Sequence, residues 1–426
     1  MFELDQFSRV PPGATEAELT AFITELEQVK SAAAAGQARA AAALDAARRA
    51  AEAAAGVAAA QRGRGVASEV ALARHDSPAR GGRHLGFAKA LVHEMPYTLA
   101  ALEHGALSEW RATLIVRESA CLDVEDRRAL DRELCAEMDK VVRLGDKRIA
   151  AAAKNIAYRL DARAVVERAA KAVQDRTVTI RPAPDTMTWV SALLPVAQGV
   201  GVYAALRRAA DTTFDGRSRG QVMADTLVER ITGTPATTAA PIALNVVISD
   251  RALLGGDDDP ATVENYGPIP AEVARRWLTA ALADHHSLTT LRRLYSSPTT
   301  GALVAMESRA RTFPRGLAEF INLRDQTCRT PYCDAPIRHR DHITPAARGG
   351  ATTAANGQGL CERCNYAKES PGWTVTTHDE NGIHTTEFIT PTDARYKSAA
   401  PPIYPRIDIS EVEDAIGIRL IDRHAA

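Results

Sequence analysis

The sequence predicts a mainly helical, multidomain α+β protein with a helical N-terminal region, a mixed middle region and a small C-terminal ββα module pinned by four cysteines. Three observations predict it. Ala, Glu, Lys, Arg and Gln, all strong helix formers, dominate residues 14–61. From Arg176 onward β-branched residues begin to alternate with others, as in strands. Near the C-terminus, Cys328 and Cys333 form one close pair, and Cys361 and Cys364 a second. A chain of 426 residues exceeds one ordinary core. The expected boundaries are a helical domain at 1–175, a mixed region at 176–305, a compact module at 306–376, and a hairpin with a Pro-rich tail at 377–426.

Taken in order, the elements justify that outline. Thr15 and Glu18 have capping-box spacing and open one or two long helices, with Gly36 a candidate break. The Ala-rich run has few large apolar residues, which suits a coiled-coil-like arm or a loosely packed hairpin and a route to self-association. In LSEWRATLIVRESACL, Leu107, Trp110, Leu114, Ile115 and Cys121 recur at threes and fours, the period of an amphipathic helix. A further helix is expected over 147–175. RTVTIRP and residues 186–194 should pair as strands, followed by helices at 195–211 and 217–232. PIALNVVISD suits a strand, GGDDDPATVENYG a turn and AEVARRWLTAALAD a helix. WTVTTH and HTTEFIT predict a hairpin, PTDARYKSAAPPIYPR a linker, and ISEVEDAIGIRLIDRHAA a last helix.

Charge and targeting signals narrow the class. Net charge is −1, so any nucleic-acid contact must come from a local basic surface. No stretch approaches the ~20 apolar residues that span a bilayer. The opening MFELDQFSRV lacks an apolar export signal, and a cytoplasmic protein without membrane contact is expected. In that setting the four paired cysteines read as metal ligands rather than disulfides. Cys121 and Cys135 lie in apolar helical surroundings and read as buried small hydrophobes.

The chemistry concentrates in residues 313–373. C-x4-C followed by C-x2-C completes a closed four-thiolate site, which suits structural zinc. Between the pairs, Asp341 and His342 are adjacent on a short extended segment and should point to opposite sides. A carboxylate is a hard ligand for Mg²⁺ or another divalent ion, and an imidazole can deprotonate water near neutral pH. Asn356 sits in a Gly/Thr-rich loop. Asn365 follows Cys364 on an expected helix over 361–369, turned by about 100° from the face that holds the cysteines. Arg338, Arg340, Arg348, Arg363 and Lys368, with His339 beside them, could hold a nucleic-acid backbone without reading sequence.

The order Asp-His, Asn, then Asn after C-x2-C resembles the HNH, or ββα-metal, endonucleases. More closely, the chain resembles bacterial proteins with a helical domain of unknown function ahead of a zinc-knuckled HNH module. The upstream segments LSEWRATLIVRESACL, GPIPAEVARRW and RRLYSSPTTGALVAMESRARTFPRGLAEFI carry that likeness across most of the chain. The resemblance implies metal-dependent hydrolysis of phosphodiester bonds, most readily in DNA. His342 would be the general base, Asp341 and Asn365 ligands of a catalytic divalent ion (Mg²⁺, Mn²⁺ or Ni²⁺), and Asn356 the residue that holds the loop and orients His342. Where many members of that group carry a histidine near the end of the motif, this chain offers Asn365 and Tyr366.

Two rival expectations stand beside this one. The module could be a non-catalytic zinc-binding unit that docks nucleic acid or protein, or the helical region could be the working part as a scaffold. Other suggestive residues read as ordinary: Asp257, Asp258 and Asp259 as a solvated turn, His285 and His286 as a helix end, His84 as a residue of a Gly-rich turn, and Arg48 and Arg49 as one exposed helix face.

Overall fold

The computed structural model describes residues 5–10, 12–236, 246–249, 251–263, 266–283, 307–308 and 313–402. It divides into two compact units, one of residues 1–172 with 366–373 and one of residues 173–365 with 374–426. The expected last helix and the pair His285–His286 lie outside the described residues.

The first unit is helical. A short α1 (Asp5–Ser8) precedes α2 (Glu16–Ala54), 39 residues long and opened by the Thr15–Glu18 capping box. The helix runs through Gly36 without a break, so that expectation is corrected. The arm or loose hairpin is also corrected, because Ser31, Ala35, Ala38, Ala42 and Asp45 repeat at threes and fours and are buried. Small side chains let this stripe lie close against its neighbours, α3 (Val66–Ala73), α4 (Pro78–Glu94) and α5 (Pro96–Glu103). At Gly81 an added Cβ would stand 2.1 Å from the carbonyl oxygen of Ala67, which is why α3 and α4 can approach so closely.

The rest of this unit is α6 (Glu109–Ser119), α7 (Val124–Cys135), α8 (Met138–Val142), α9 (Asp146–Leu160) and α10 (Ala162–Ala172). The helix expected over 147–175 is thus two, parted at Asp161, whose carboxylate accepts the backbone N–H of Ala164 and starts α10 afresh. Leu91, Met95, Leu102, Leu107, Ile115, Leu130 and Ile149 form the core, with Cys135 buried and Cys121 packed at its margin. Burying each such large side chain contributes ~1.5–3 kcal/mol. Trp110 instead lies exposed, its indole N–H donated to Asp146 at 3.0 Å. The start of α5 has no cap of its own. Buried Asp131 supplies one from α7, accepting from the N–H groups of Tyr97 (2.8 Å) and Thr98 (2.7 Å).

Two basic residues depart from the sequence reading. Arg48 is not on an exposed face but pairs at 2.9 Å with buried Glu69, while Arg49 holds Asp45 one helical turn away. His84 lies within α4 rather than in a turn, between Asp76 (3.1 Å) and Glu109 (3.5 Å).

In the second unit, β1 (Thr177–Ala183) and β2 (Met187–Leu193) pair as the expected antiparallel hairpin, from Thr177 opposite Leu193 to Ala183 opposite Met187. Helices α11 (Val196–Thr212) and α12 (Arg219–Thr232) then pack on each other. Of PIALNVVISD, the described part includes β3 (Val246–Val247), which pairs with β4 (Ala261–Val263), itself paired with β5 (Gly267–Ile269). Part of the expected turn is therefore strand. Asp257 and Asp258 in it pair with Arg251 and Arg275. Helix α13 (Ala271–Ala283) follows as expected.

The C-terminal part of this unit comprises β6 (Glu307–Ser308), α14 (Arg315–Asp325), β7 (His339–His342), β8 (Thr352–Thr353), β9 (Gly357–Leu360) and α15 (Glu362–Lys368), whose last residues group with the first unit. Then come β10 (Thr374–Glu380), β11 (Ile383–Ile389) and β12 (Arg395–Ala399), one antiparallel sheet in that order. The linker expected at PTDARYKSAAPPIYPR is thus partly the third strand. Its alternating residues pair with β11, Tyr396 opposite Phe388 and Ser398 opposite Thr386.

Candidate functional site

The cysteine cluster follows from two turns. After α14 the chain reverses through Tyr332, at φ +62°, and the N–H of Cys333 is donated to the Thr330 carbonyl at 3.1 Å. The N–H of Arg329, donated to Gly359 at 2.9 Å, ties this turn to β9. Cys361 directly follows β9, and Cys364 lies one helical turn further along, in α15. All four sulfurs are buried and lie within 4.8 Å of one another, with Sγ–Sγ separations of 3.8 Å for Cys333–Cys361 and 3.7 Å for Cys333–Cys364. A tetrahedral ion with sulfur ligands at ~2.3 Å has an S–S edge of about 3.8 Å. The cysteines are positioned to bind a metal. Hydrogen bonds from Cys328, Cys333 and Cys364 hold the Cys361 thiol far below its usual range, whereas the same neighbours and burial push Cys364 far above it. Four buried thiols packed this closely have little water to solvate a thiolate, and a central dication would satisfy them in that form.

The Asp-His pair lies on β7, which pairs antiparallel with β9: Asp341 faces Gln358, and His342 faces Gly357. Alternation along the strand sends the two side chains to opposite faces. Asp341 is half-buried and accepts from Gln358 Nε2 at 3.3 Å. His342 Nε2 lies 2.9 Å from the hydroxyl of Thr352, and Phe313 covers the imidazole, ring centroids 4.4 Å apart. Gly357 makes room for this, since a Cβ there would meet Phe313 at 2.9 Å and Ile321 at 2.6 Å.

Asn356 closes the loop between the strands. Its Oδ1 accepts the Thr344 N–H at 2.8 Å, and its Nδ2 donates to the carbonyls of Thr344 (3.0 Å) and Ala351 (2.8 Å). Its own carbonyl accepts the N–H of Ile343, the residue after His342, at 2.8 Å. Gly350 permits this closure, because a Cβ there would fall 1.8 Å from the Thr344 carbonyl oxygen. Asn365 lies on α15 with its Oδ1 buried and without a hydrogen-bond partner among the described residues. A buried carbonyl oxygen left unpaired costs ~1–3 kcal/mol, which a cation ligated there would remove.

The sequence reading missed the support beneath these residues. Arg324 and Asp325, both buried, pair at 2.7 Å at the end of α14. Arg324 donates to the carbonyls of Ala354 and Gly357, on either side of Asn356, and Asp325 accepts the Gly359 N–H at 2.7 Å. A charged pair ending an otherwise amphipathic helix was the available signal. Nothing in the sequence marks Thr352 or Gln358. Of the cations expected to hold a backbone, Arg338, Arg340, Arg348 and Arg363 are exposed, with Arg340 donating to Asn322 at 2.9 Å, and His339 is half-buried. Lys368 is a correction: its side chain is buried and paired with Glu369 at 2.5 Å, so it presents no free charge. Tyr366 is exposed.

Residues 25–325 match the family described as a domain of unknown function (DUF222). The chain belongs to this family. Residues 328–370 match the HNH endonuclease domain, so this DUF222 protein carries a helical domain followed by an HNH module, as the sequence likeness implies. No curated protein and no solved structure matches the chain. No helix among the described residues is long and apolar enough to cross a membrane. The Arg324–Asp325 pair and Phe313 fall within the DUF222 match, yet their partners Ala354, Gly357, Gly359 and His342 fall within the HNH match.

Proposed function

We propose that this HNH module is a metal-dependent endonuclease that hydrolyses phosphodiester bonds of DNA. One observation supports the reading above the others. Within the stretch matching HNH endonucleases, Asn365 keeps a buried carbonyl oxygen with no protein partner among the described residues. A buried amide oxygen in that state leaves a coordination position that a cation can fill. The four cysteines would hold a structural zinc ion, which would lock both ends of the motif together.

Asp341 and Asn365 would hold the catalytic divalent ion, Mg²⁺ or another hard cation, which would neutralise charge on the phosphate and the leaving oxygen. The imidazole of His342 takes the proton of the attacking water. Thr352 fixes the ring by hydrogen bonding at Nε2, and Phe313 limits its contact with bulk solvent. Asn356 keeps the backbone around Ile343 and Thr344 in place, and so orients His342. Arg338, Arg340, Arg348 and Arg363 hold phosphates on either side, which gives affinity without sequence preference.

Plasmid nicking with Mg²⁺ or Mn²⁺ tests this on zinc-loaded wild type and His342→Ala. A general base contributes ~10²–10⁴-fold, so nicking should fall by at least about 100-fold in the variant while zinc content stays equal. Absence of nicking by zinc-loaded wild type, with DNA still bound, would replace this reading by a non-catalytic binding module.

A further inference from the structure

The first unit carries a charge asymmetry that the nuclease motif does not use. Residues 140–171 contain nine Lys and Arg against three Asp and Glu, a net of +6, whereas the whole chain carries −1. Helix α9 concentrates it. Ile149, Ala153, Ile156 and Ala157 are buried along one stripe. Lys147, Lys154 and Tyr158 recur at i, i+7 and i+11 on the opposite side, flanked by Arg148 and Asn155, and all five are exposed. No carboxylate interrupts this face. Its one acidic residue, Asp146, is engaged by Trp110 and Arg111.

Several cations elsewhere in this unit are paired, Arg39 with Glu103, Arg48 with Glu69, Arg74 with Glu109, and Arg127 with Glu94, whereas Arg64, Arg83 and Arg132 are scattered singly on other helices and turns. Lys147, Arg148, Lys154 and the preceding Arg143 have no ion pair among the described residues. A helix face made only for solubility mixes both signs; this one does not. Lys147 and Lys154 are ~10 Å apart along the axis at ~1.5 Å per residue, far enough to meet different phosphates of one backbone. Tyr158 and Asn155 add hydrogen-bonding groups of the kind that contact phosphate and sugar.

We propose that the solvent face of α9, with Arg143, is a binding surface for the phosphate backbone of a nucleic-acid duplex. The choice of ligand class rests on the nuclease reading; the surface itself rests on the unpaired cations. In this way the domain of unknown function holds substrate by charge, independently of sequence.

Fluorescence anisotropy tests it on the full, zinc-loaded chain without Mg²⁺ or Mn²⁺, so that binding is read apart from cleavage. Probes are a duplex DNA, a matched duplex RNA and vesicles of anionic phospholipid, at 50–200 mM salt. The triple variant Lys147→Glu, Arg148→Glu and Lys154→Glu should bind duplex at least about tenfold more weakly. Its plot of log affinity against log salt should flatten by about 3, at ~0.9 for each phosphate no longer neutralised. The corresponding Gln variant, should the Glu form lose helix content, is expected to show the same change in slope. Equal affinity and slope in wild type and the Gln variant would overturn the proposal, as would binding to vesicles alone or to no probe. If wild type binds through α9 but never cleaves, the nuclease reading falls and this surface stands; if cleavage and binding both ignore the α9 changes, the reverse holds.

Discussion

The helical unit and the cysteine module bury their interiors by different physics. Helices α2–α10 enclose Leu91, Met95, Leu102, Ile115 and Ile149 against an alanine stripe, a conventional apolar core. In the module, four of the six residues in the central buried cluster are cysteines, joined by Leu360 and Phe388. Beside them sit the ionic contacts of Arg324, Asp325 and Arg329, with Arg329 reaching the carbonyls of His384 and Ser398. A core too small to hold itself by area must be held by ligation and charge pairing. One unit should therefore be insensitive to metal, and the other should depend on it.

Breaking a ligand gives the largest expected effect. Structural zinc contributes ~10–16 kcal/mol in small metal-folded modules. Cys361→Ser should release the ion, and residues 313–402 should become open to proteolysis. The melting of the helical unit should persist. Limited proteolysis with zinc analysis and circular dichroism would read both halves, and an unchanged proteolytic pattern in zinc-free Cys361→Ser would remove the contrast.

A smaller effect is confined to the module and depends on pH. His384 on β11 sits in register across from Asp379, with Nε2 donated to the Ala355 carbonyl at 2.9 Å beside the Asn356 loop. Burial, reinforced by the Arg324 charge, pushes its pKa from 6.5 down to about 4. The folded protein thus resists a proton that the unfolded chain accepts near pH 6.5. Stability from the neutral ring is complete above that pH and is lost as pH falls toward 4, by about 3 kcal/mol. An NMR titration of the His384 ring in the zinc-loaded protein should give a midpoint near 4; a midpoint near 6.5 would mean the ring is solvated and the module looser than described.

What could be read beforehand follows from the same contrast. The four-cysteine knuckle, the Asp-His strand and the helix after C-x2-C were legible because ligand chemistry fixes residue type and spacing together. The hairpin of β1 and β2, the capping box and α13 were legible because local periodicity fixed them. Strand β12 was not, because PTDARYKSAA has edge-strand alternation among turn-forming residues, and only pairing with β11 makes it a strand. The buried pairing of Arg48 with Glu69, and of Arg324 with Asp325, depends on tertiary neighbours that no local pattern encodes. Lys368 failed for the same reason: a cation in sequence says nothing of its burial.

The smallest prediction concerns the residue at which the sequence suggested a break. Gly36 lies in mid-helix on an exposed position of α2, without the positive φ that would require glycine, and an added Cβ would meet nothing within 4 Å. Gly36→Ala should then stabilise the helical unit by ~0.5–1 kcal/mol, because alanine loses less backbone freedom on folding. Gly81→Ala should do the opposite, since its Cβ would collide with the Ala67 carbonyl. The two melting temperatures, taken on the zinc-loaded protein, should move apart, with Gly36→Ala up by a few degrees at most. A fall for Gly36→Ala would show that α2 bends at Gly36 in solution, and the continuous alanine stripe would then no longer explain how this unit is held.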